Sequence, residues 1–318
     1  MTGAAAVVIG RNEGTRLARS LRSVVGAAVP VVYVDSGSQD GSPAAAAALG
    51  VPVVALDPAR PFTAARARNA GIDEVVRRAP GVELVQLVDG DSELLPGWLA
   101  AAAAVLARRP AVAAVAGRQR EREPGRSPYQ RLYQMEWDAL HADPHAFGGL
   151  VMLRVRAHRE VGGFDADLVA GEEADLALRL RDAGWEIVRL DAEMAVHDAG
   201  MRTLGEWWRR AARTGEAWAR LAARYHRHPA RLGVRESAST WLWTGAVPLA
   251  TVGATWAVGA PGLALLAAYP LLWLRIVRRA RRRGTPPGDA ALYALACVGG
   301  KVPQALGQVR ALIGRAGR

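Results

Sequence analysis

Apolar positions in the first 120 residues follow two periods. Residues 6–9, 31–34, 53–56, 84–88 and 112–116 are short apolar runs rich in valine, and such runs predict strands. Between them, residues 15–25, 43–49, 64–78 and 96–108 read as helices. The first carries Leu17, Leu21, Val24 and Val25 at helical spacing, and the second has Pro43 in its first turn. Strand and helix in alternation, with short connections, predict an α/β fold with a parallel sheet covered on both faces. Ligands of such sheets bind beyond the carboxyl ends of the strands. The residues that follow each run are therefore the ones to read for chemistry.

After residue 200 the pattern changes. Residues 241–259 contain no charge, and after Ala260-Pro261-Gly262 neither do residues 263–274. Arg275, Arg278, Arg279, Arg281, Arg282 and Arg283 then follow almost together. A membrane span needs about 20 apolar residues. The first run is just long enough; the second is marginal unless Arg275 snorkels. Pro-Gly between them marks a turn. Arg220, Arg224, Arg227, Arg231 and Arg235 precede the pair, so both flanks are basic. The positive-inside rule then places both flanks, and the first 200 residues with them, on the cytoplasmic face of a cell membrane. A buried hairpin of a soluble domain is the alternative, although soluble cores seldom run this long without a charge. Residues 290–315 place Leu292, Leu295, Val302, Leu306, Val309 and Leu312 at roughly helical spacing, interrupted by Gly299-Gly300 and Pro303. They predict an amphipathic helix returning to the membrane surface, or else a helix packed on the hairpin. The apolar stretch 4–10 is too short for a signal peptide and no base precedes it. The expected division is a catalytic α/β domain over 1–200, basic, Trp-rich interfacial helices over 201–235, a hydrophobic hairpin over 236–278, and a basic turn with an amphipathic helix over 279–318.

Charge sharpens this division. The 318 residues carry a net +11. Residues 201–318 hold 18 Arg and one Lys against four acids, a net +15, and seven of the ten Trp. The first 200 residues are therefore slightly acidic. A near-neutral domain joined to a strongly basic one points to an anionic surface as partner. The arginines flank apolar runs and are not interleaved with exposed aromatics, which favours membrane lipids over nucleic acid. One cysteine, Cys297, excludes a disulfide framework and a Cys-rich metal centre. An apolar fraction of 51% excludes a disordered chain.

Three polar loops follow the strands. Gly10-Arg-Asn-Glu13 follows the first, Asp35-Ser-Gly-Ser-Gln-Asp-Gly-Ser42 the second and Asp89-Gly-Asp91 the fourth. Each alone could be a turn or a helix cap. Two carboxylates one residue apart at the end of a buried strand can instead face one hard cation. A cation there would neutralise a diphosphate leaving group. Arg66 and Arg68, at the start of the helix over 64–78, are guanidinium groups suited to phosphate.

Ile9-Gly-Arg-Asn-Glu13, Val34-Asp-Ser-Gly-Ser-Gln-Asp-Gly-Ser42, Ala67-Arg-Asn-Ala-Gly71 and Val88-Asp-Gly-Asp91 resemble the nucleotide-sugar half of the family 2 glycosyltransferases. Gly148-Gly149 through Arg154, and Gly162-Gly-Phe-Asp165, are similar to that family's acceptor-side segment. Gly171-Glu-Glu-Ala-Asp175 through Arg179-Leu180, with Gly184-Trp185, resembles its Glu-Asp motif. The match covers about residues 5–200, in the family's order. It implies the GT-A fold, a Rossmann-like, mostly parallel sheet with flanking helices, here followed by a membrane-associated helical region. It also implies inverting transfer from a nucleotide sugar, UDP-linked by family precedent, with Mg²⁺ or Mn²⁺.

Position by position, the resemblance assigns Glu13, Asp35, Arg68 and Asp89 to the nucleotide sugar. Asp89, Asp91 and His197 fall to the metal. Glu173 falls to the general base, where the family usually has Asp, with Asp175 as the alternative. Gly149, Glu172 and Trp207 fall to the acceptor side; Trp207 and its neighbour Trp208 suit sugar stacking or a membrane interface equally. Sugar transfer needs a stabilised leaving group, an activated acceptor hydroxyl and both held in line, and these positions supply all three. The Gln-x-x-Arg-Trp segment of the processive synthases is missing, so one sugar per encounter is expected. The hairpin suggests a membrane-associated or lipid-linked glycan acceptor. A nucleotidyltransferase would show a Gly-rich, basic loop after the first strand, where this chain has only Gly10 and Gly14. A non-catalytic glycan-binding scaffold would not need Asp89, Asp91, Arg68 and Glu173 together.

Overall fold

The computed structural model describes residues 3–27, 29–141 and 146–316. The valine-rich runs form β1 (Ala4–Gly10), β2 (Val31–Asp35), β3 (Val53–Ala55), β4 (Leu84–Asp89) and, after a short β5 (Ser92–Leu94), β6 (Val112–Glu121). With β7 (Val151–Arg154) and β8 (Glu186–His197) they make one eight-stranded sheet in the order β3-β2-β1-β4-β7-β6-β8-β5. β1 to β4 are parallel to one another, and β8 is parallel to β6. β7 runs antiparallel between β4 and β6, and β5 runs antiparallel to β8 at the edge. The sheet is thus mixed but mostly parallel.

Helices α1 (Thr15–Val25), α2 (Ser42–Ala48), α3 (Ala64–Arg78), α4 (Trp98–Arg108), α5 (Pro128–His141), α6 (Val155–Glu160) and α7 (Glu172–Asp182) complete this part of the chain. Successive residues of a strand face opposite sides, and two cores result. Val7, Ile9 and Val34 pack with Ile72, Leu87 and Leu176 on one face. Val8 and Tyr33 pack with Leu17, Leu21 and Trp98 on the other. Burial on both faces is why β1 reads as an unbroken apolar run. α3 lies so close to β1 that a Cβ on Gly71 would stand 2.2 Å from Val7 Cγ1.

The chain divides into two compact units, the first Met1–Pro124 with Glu136–Gly200, the second Gly125–Met135 with Met201–Arg318. Residues 125–135 thus group with the C-terminal helices rather than with the sheet, unlike the division expected from sequence. Ser127 Oγ donates to Met201 O at 2.8 Å, Arg131 Nε donates to Asp289 Oδ1 at 2.9 Å, and Arg210 lies over the Tyr133 ring at 4.1 Å.

In the second unit α8 (Leu204–Tyr225) starts from a capping box: Thr203 accepts from Glu206 N, and the Glu206 carboxylate accepts from Thr203 N at 2.9 Å. α9 (Val234–Trp241) passes through a π turn, Leu242–Ala246, into α10 (Val247–Val258). Val247 N–H reaches back five residues to Leu242 O. The next donor in that register would be position 248, which is proline and has none. Trp243 O is met instead by the Tyr269 hydroxyl at 2.6 Å. That hydroxyl comes from the returning arm, a 3₁₀ segment Ala260–Ala267 leading into α11 (Ala268–Arg282).

The apolar runs therefore form a helical hairpin, and its outer surface is bare: Leu249, Val252 and Leu271 are exposed, and Trp256 is 91% exposed. The 23-residue helical stretch Ala260–Arg282 is long and apolar enough to cross a membrane. The expected single tail helix is two, α12 (Pro287–Gly299) and α13 (Lys301–Ala316), broken at Gly300. α13 packs on α8 backbone to backbone: a Cβ on Gly307 would stand 1.9 Å from Ala212 O, and one on Gly215 2.0 Å from Gln304 O.

Candidate active site

The sequence-derived candidates of the first unit gather where strands end. Asp35, the last residue of β2, is buried and fixed by its own loop: Gly37 N and Ser38 N donate to Oδ2 at 2.9 and 2.8 Å, and the Tyr33 hydroxyl donates to Oδ1 at 2.9 Å. The loop after β1 is stitched to this one. Asn12 N donates to Ser38 Oγ at 2.9 Å, Gln39 N to Asn12 Oδ1 at 2.8 Å, and Gly14 N to Asp40 Oδ2 at 2.8 Å. Asn12 holds a positive φ of 57° to make this possible, a conformation Asn tolerates better than most residues. Phe62 lies against Gly37, where a Cβ would approach its ring to 2.9 Å, and Arg11 stands over the same ring at 5.1 Å.

Arg68 is the centre of the second group. It rises from the first turns of α3 into a buried position and donates three ways: Nη1 to Glu172 Oε1 at 2.7 Å and Glu173 Oε1 at 3.0 Å, and Nη2 to Asp89 Oδ1 at 3.1 Å. Glu172 and Glu173 begin α7, whose N-terminal dipole favours acids. They differ in access, with side chains 5% and 22% exposed. Burial, then Glu173, pushes the Glu172 carboxyl up to about 7 against the pull of Arg68. Burial and the neighbouring acids likewise raise Asp89. Gly149 closes over this group: a Cβ there would lie 2.4 Å from Asp89 Oδ2 and 2.5 Å from Arg68 Nη2. Gly149→Ala should therefore force the Arg68–Asp89 pair apart and cost about 1–3 kcal/mol. A urea midpoint equal to wild type would show that the neighbours yield without cost.

Arg66 does not join this group, because the carbonyls of Asp57, Arg60 and Pro61 hold its guanidinium. Asp175 does not join it either. It is fully buried, and its Oδ2 takes both Nε and Nη2 of Arg179, at 2.8 and 2.6 Å. Arg179 also donates to Val161 O at 2.6 Å, so this pair anchors α7.

Asp91 faces a third group. The β5–β8 register sets Ser92 opposite His197, and His197 Nε2 lies 3.4 Å from Asp91 Oδ2. On the other side of β8, the β6 register sets Glu121 opposite His197, and its carboxylate accepts from His197 Nδ1. Burial opposes charge on the imidazole, but Asp91 and Glu121 prevail and hold it protonated well above its ordinary range. Burial would raise Asp91, yet His197 and Arg16 outweigh it and hold its carboxyl below the usual range. Glu13 completes the acidic lobe. Burial, then Asp91 and Asp89, pushes it up to about 7 even though Arg16 pairs with it at 2.8 Å.

Asp89 thus turns to Arg68, while Asp91 faces His197. Among the described residues no three acid or histidine side chains already converge on one point. A carboxylate oxygen and a neutral imidazole nitrogen can together ligate a divalent cation, and the crowding of Glu13, Asp89 and Asp91 favours positive charge there. Trp207 belongs to the second unit, where its ring lies beside Gly300.

Glu121 had no signal of its own in an arginine-rich stretch. The alternation Arg118, Arg120, Arg122 was the available clue, since it turns Gln119 and Glu121 to the opposite, buried face.

Residues 6–162 match the glycosyl transferase family 2 model. A pre-mycofactocin glycosyltransferase of Mycobacterium tuberculosis is 30% identical over 177 residues, 51% of this chain and 35% of that protein. The chain thus spans about a third of the length of the curated relatives it matches. Among solved structures, the mannosyltransferase PcManGT from Pyrobaculum calidifontis, in complex with GDP-Man and Mn²⁺, aligns with a TM-score of 0.65 at 19% identity, over 98% of this chain and 87% of that one. Glucosyl-3-phosphoglycerate synthase from Mycobacterium tuberculosis, in complex with Mg²⁺ and UDP, aligns with a TM-score of 0.50 at 18% identity, over 73% and 80% of the two chains. Sheet order, the loops at the strand ends and these matches agree: residues 6–162 form a glycosyltransferase family 2 domain, and the chain has the GT-A fold.

Proposed function

We propose that this chain transfers one sugar, with inversion, from a UDP-linked donor to a membrane-associated or lipid-linked glycan acceptor, using Mg²⁺ or Mn²⁺. The observation that carries the reading is the placement of Arg68 on Asp89 and Glu173 while Asp91 faces His197. Cationic and acidic groups for a diphosphate thus stand beside a partly exposed carboxylate. Asp91 and His197 would hold the cation, with oxygens of the diphosphate completing its shell. When bound, it neutralises charge developing on the leaving diphosphate. Asp35, in its rigid loop, binds the nucleoside, and Arg68 binds the diphosphate. Glu173 takes the proton of the attacking acceptor hydroxyl as that oxygen bonds to the sugar's anomeric carbon and the diphosphate departs. One displacement inverts that carbon. Glu172 and Gly149 shape the acceptor side, and Trp207 is assigned to the acceptor or its membrane surround.

The fold relatives include one bound to GDP-Man with Mn²⁺ and one bound to UDP with Mg²⁺, so the donor nucleotide has to be tested directly. UDP, GDP and dTDP, each with and without Mn²⁺, are compared by thermal unfolding of the detergent-purified chain. At 100 times its dissociation constant the correct nucleotide adds about 2.7 kcal/mol. The expected result is a shift from UDP that requires Mn²⁺. A GDP-only shift would move the donor class, and no shift from any of them would remove the donor site.

The bare apolar hairpin and the arginines that follow it support a catalytic unit held at the cytoplasmic face of a membrane. Vesicles containing anionic lipid are expected to carry the full chain upward in a density gradient and to retain it in 1 M salt. Release by salt would reduce the attachment to charge alone.

A further inference from the structure

Glu121 is a buried carboxylate to which the transfer reaction assigns no task. It accepts from His197 Nδ1, from Trp137 Nε1 at 2.9 Å and from Ala199 N at 3.3 Å. Trp137 also stands edge-on to the imidazole, with ring centroids 5.1 Å apart. The arrangement is built by strand register. β8 runs between β6 and β5, so His197 has Glu121 opposite on one side and Ser92, next to Asp91, on the other. Irregularities of the β6–β8 ladder between Ala116 and Gln119 bring Glu121 into that register. A buried carboxylate is costly unless several donors meet it, and this one is held by the ring on which it acts.

We propose that Glu121 is the positioning residue for His197: by accepting a hydrogen bond from Nδ1–H it orients the ring with Nε2 toward Asp91, and so sets that nitrogen to ligate the divalent cation once its proton is displaced. A histidine ligand is commonly oriented by a carboxylate on its other nitrogen, and loss of that partner costs about 10–100-fold in metal affinity. Trp137 in turn limits how Glu121 can swing, because its indole N–H and its ring edge constrain the carboxylate and the imidazole together.

This inference rests on the cation site proposed above, and its test separates the two. Mn²⁺ binding to the full chain in saturating UDP is followed by electron paramagnetic resonance for wild type, Glu121→Gln and His197→Ala. Glu121→Gln should weaken Mn²⁺ about 10–100-fold, and Trp137→Phe, which removes one donor to Glu121, should weaken it less. Wild-type binding with equal affinity in Glu121→Gln would overturn the positioning role alone. No Mn²⁺ bound by wild type, or full binding by His197→Ala, would overturn the cation site itself. Should Glu121→Gln fail to fold, nitrogen-15 spectra of wild-type His197 with Mg²⁺ and UDP still decide. A proton on Nδ1 supports the assignment, and a proton on Nε2 overturns it.

Discussion

Glu173→Gln is expected to lower kcat by about 10²–10⁴-fold, the range contributed by a positioned general base, while leaving UDP·Mn²⁺ affinity within a factor of a few. The amide keeps the length of the side chain and an oxygen that can accept from Arg68, so the 3.0 Å contact survives and only the proton acceptor is lost. Glu173 is the member of the cluster that solvent reaches, at 22% exposure against 5% for Glu172, and a base must meet its substrate. Asp175→Asn provides the contrast. Its carboxylate is consumed by Arg179, so it should cost about 1–3 kcal/mol of stability with a smaller change in kcat. Single-turnover transfer and calorimetric nucleotide binding on both variants check this. A folded Asp175→Asn that is inactive, beside an active Glu173→Gln, would reverse the assignment.

Asp91→Asn is the second large effect. Turnover should fall by at least about 100-fold, the rate equivalent of roughly 3 kcal/mol of charge stabilisation at the leaving group. Mn²⁺-dependent stabilisation by UDP should disappear with it. The fold should survive, because Asp91 lies in a turn and its backbone bond from Asp198 N at 2.9 Å is untouched by the substitution. Retained full activity would remove Asp91 from the cation site and leave Asp89 to take its place.

Much of this architecture could be read in the chain itself. α1 and α3 occupy the residues expected of them, because apolar spacing and a buried sheet leave little freedom. β5 and β7 escaped notice for a physical reason: three and four residues are too few to display a period. β8 escaped because only its last residues, Met194 to His197, are fully buried, while the first eight are partly buried or exposed and mix Ile187, Val188 and Leu190 with Glu186, Arg189, Asp191 and Glu193. Loops at strand ends pointed to Asp35, Asp89 and Asp91, the start of the third helix pointed to Arg68, and the family resemblance added Glu173 and His197. What sequence order could not supply was pairing. That Asp89 turns to Arg68, and that Glu121 reaches a histidine 76 residues away, follows from register and crossover, which leave no local trace. The grouping of residues 125–135 with the C-terminal helices had no compositional signature either; it rests on contacts such as Arg131 with Asp289.

The two arms of the hairpin are wound differently, and this bears on how far each extends. Residues 241–258 of the first arm rise about 1.5 Å each, about 27 Å in all. The second has only fifteen uncharged residues, 260–274, but eight of them form the 3₁₀ segment Ala260–Ala267, which rises about 2 Å per residue, so it covers about 26 Å. Tighter coiling offsets three missing residues. A segment that looks too short by count therefore has nearly the reach of its partner.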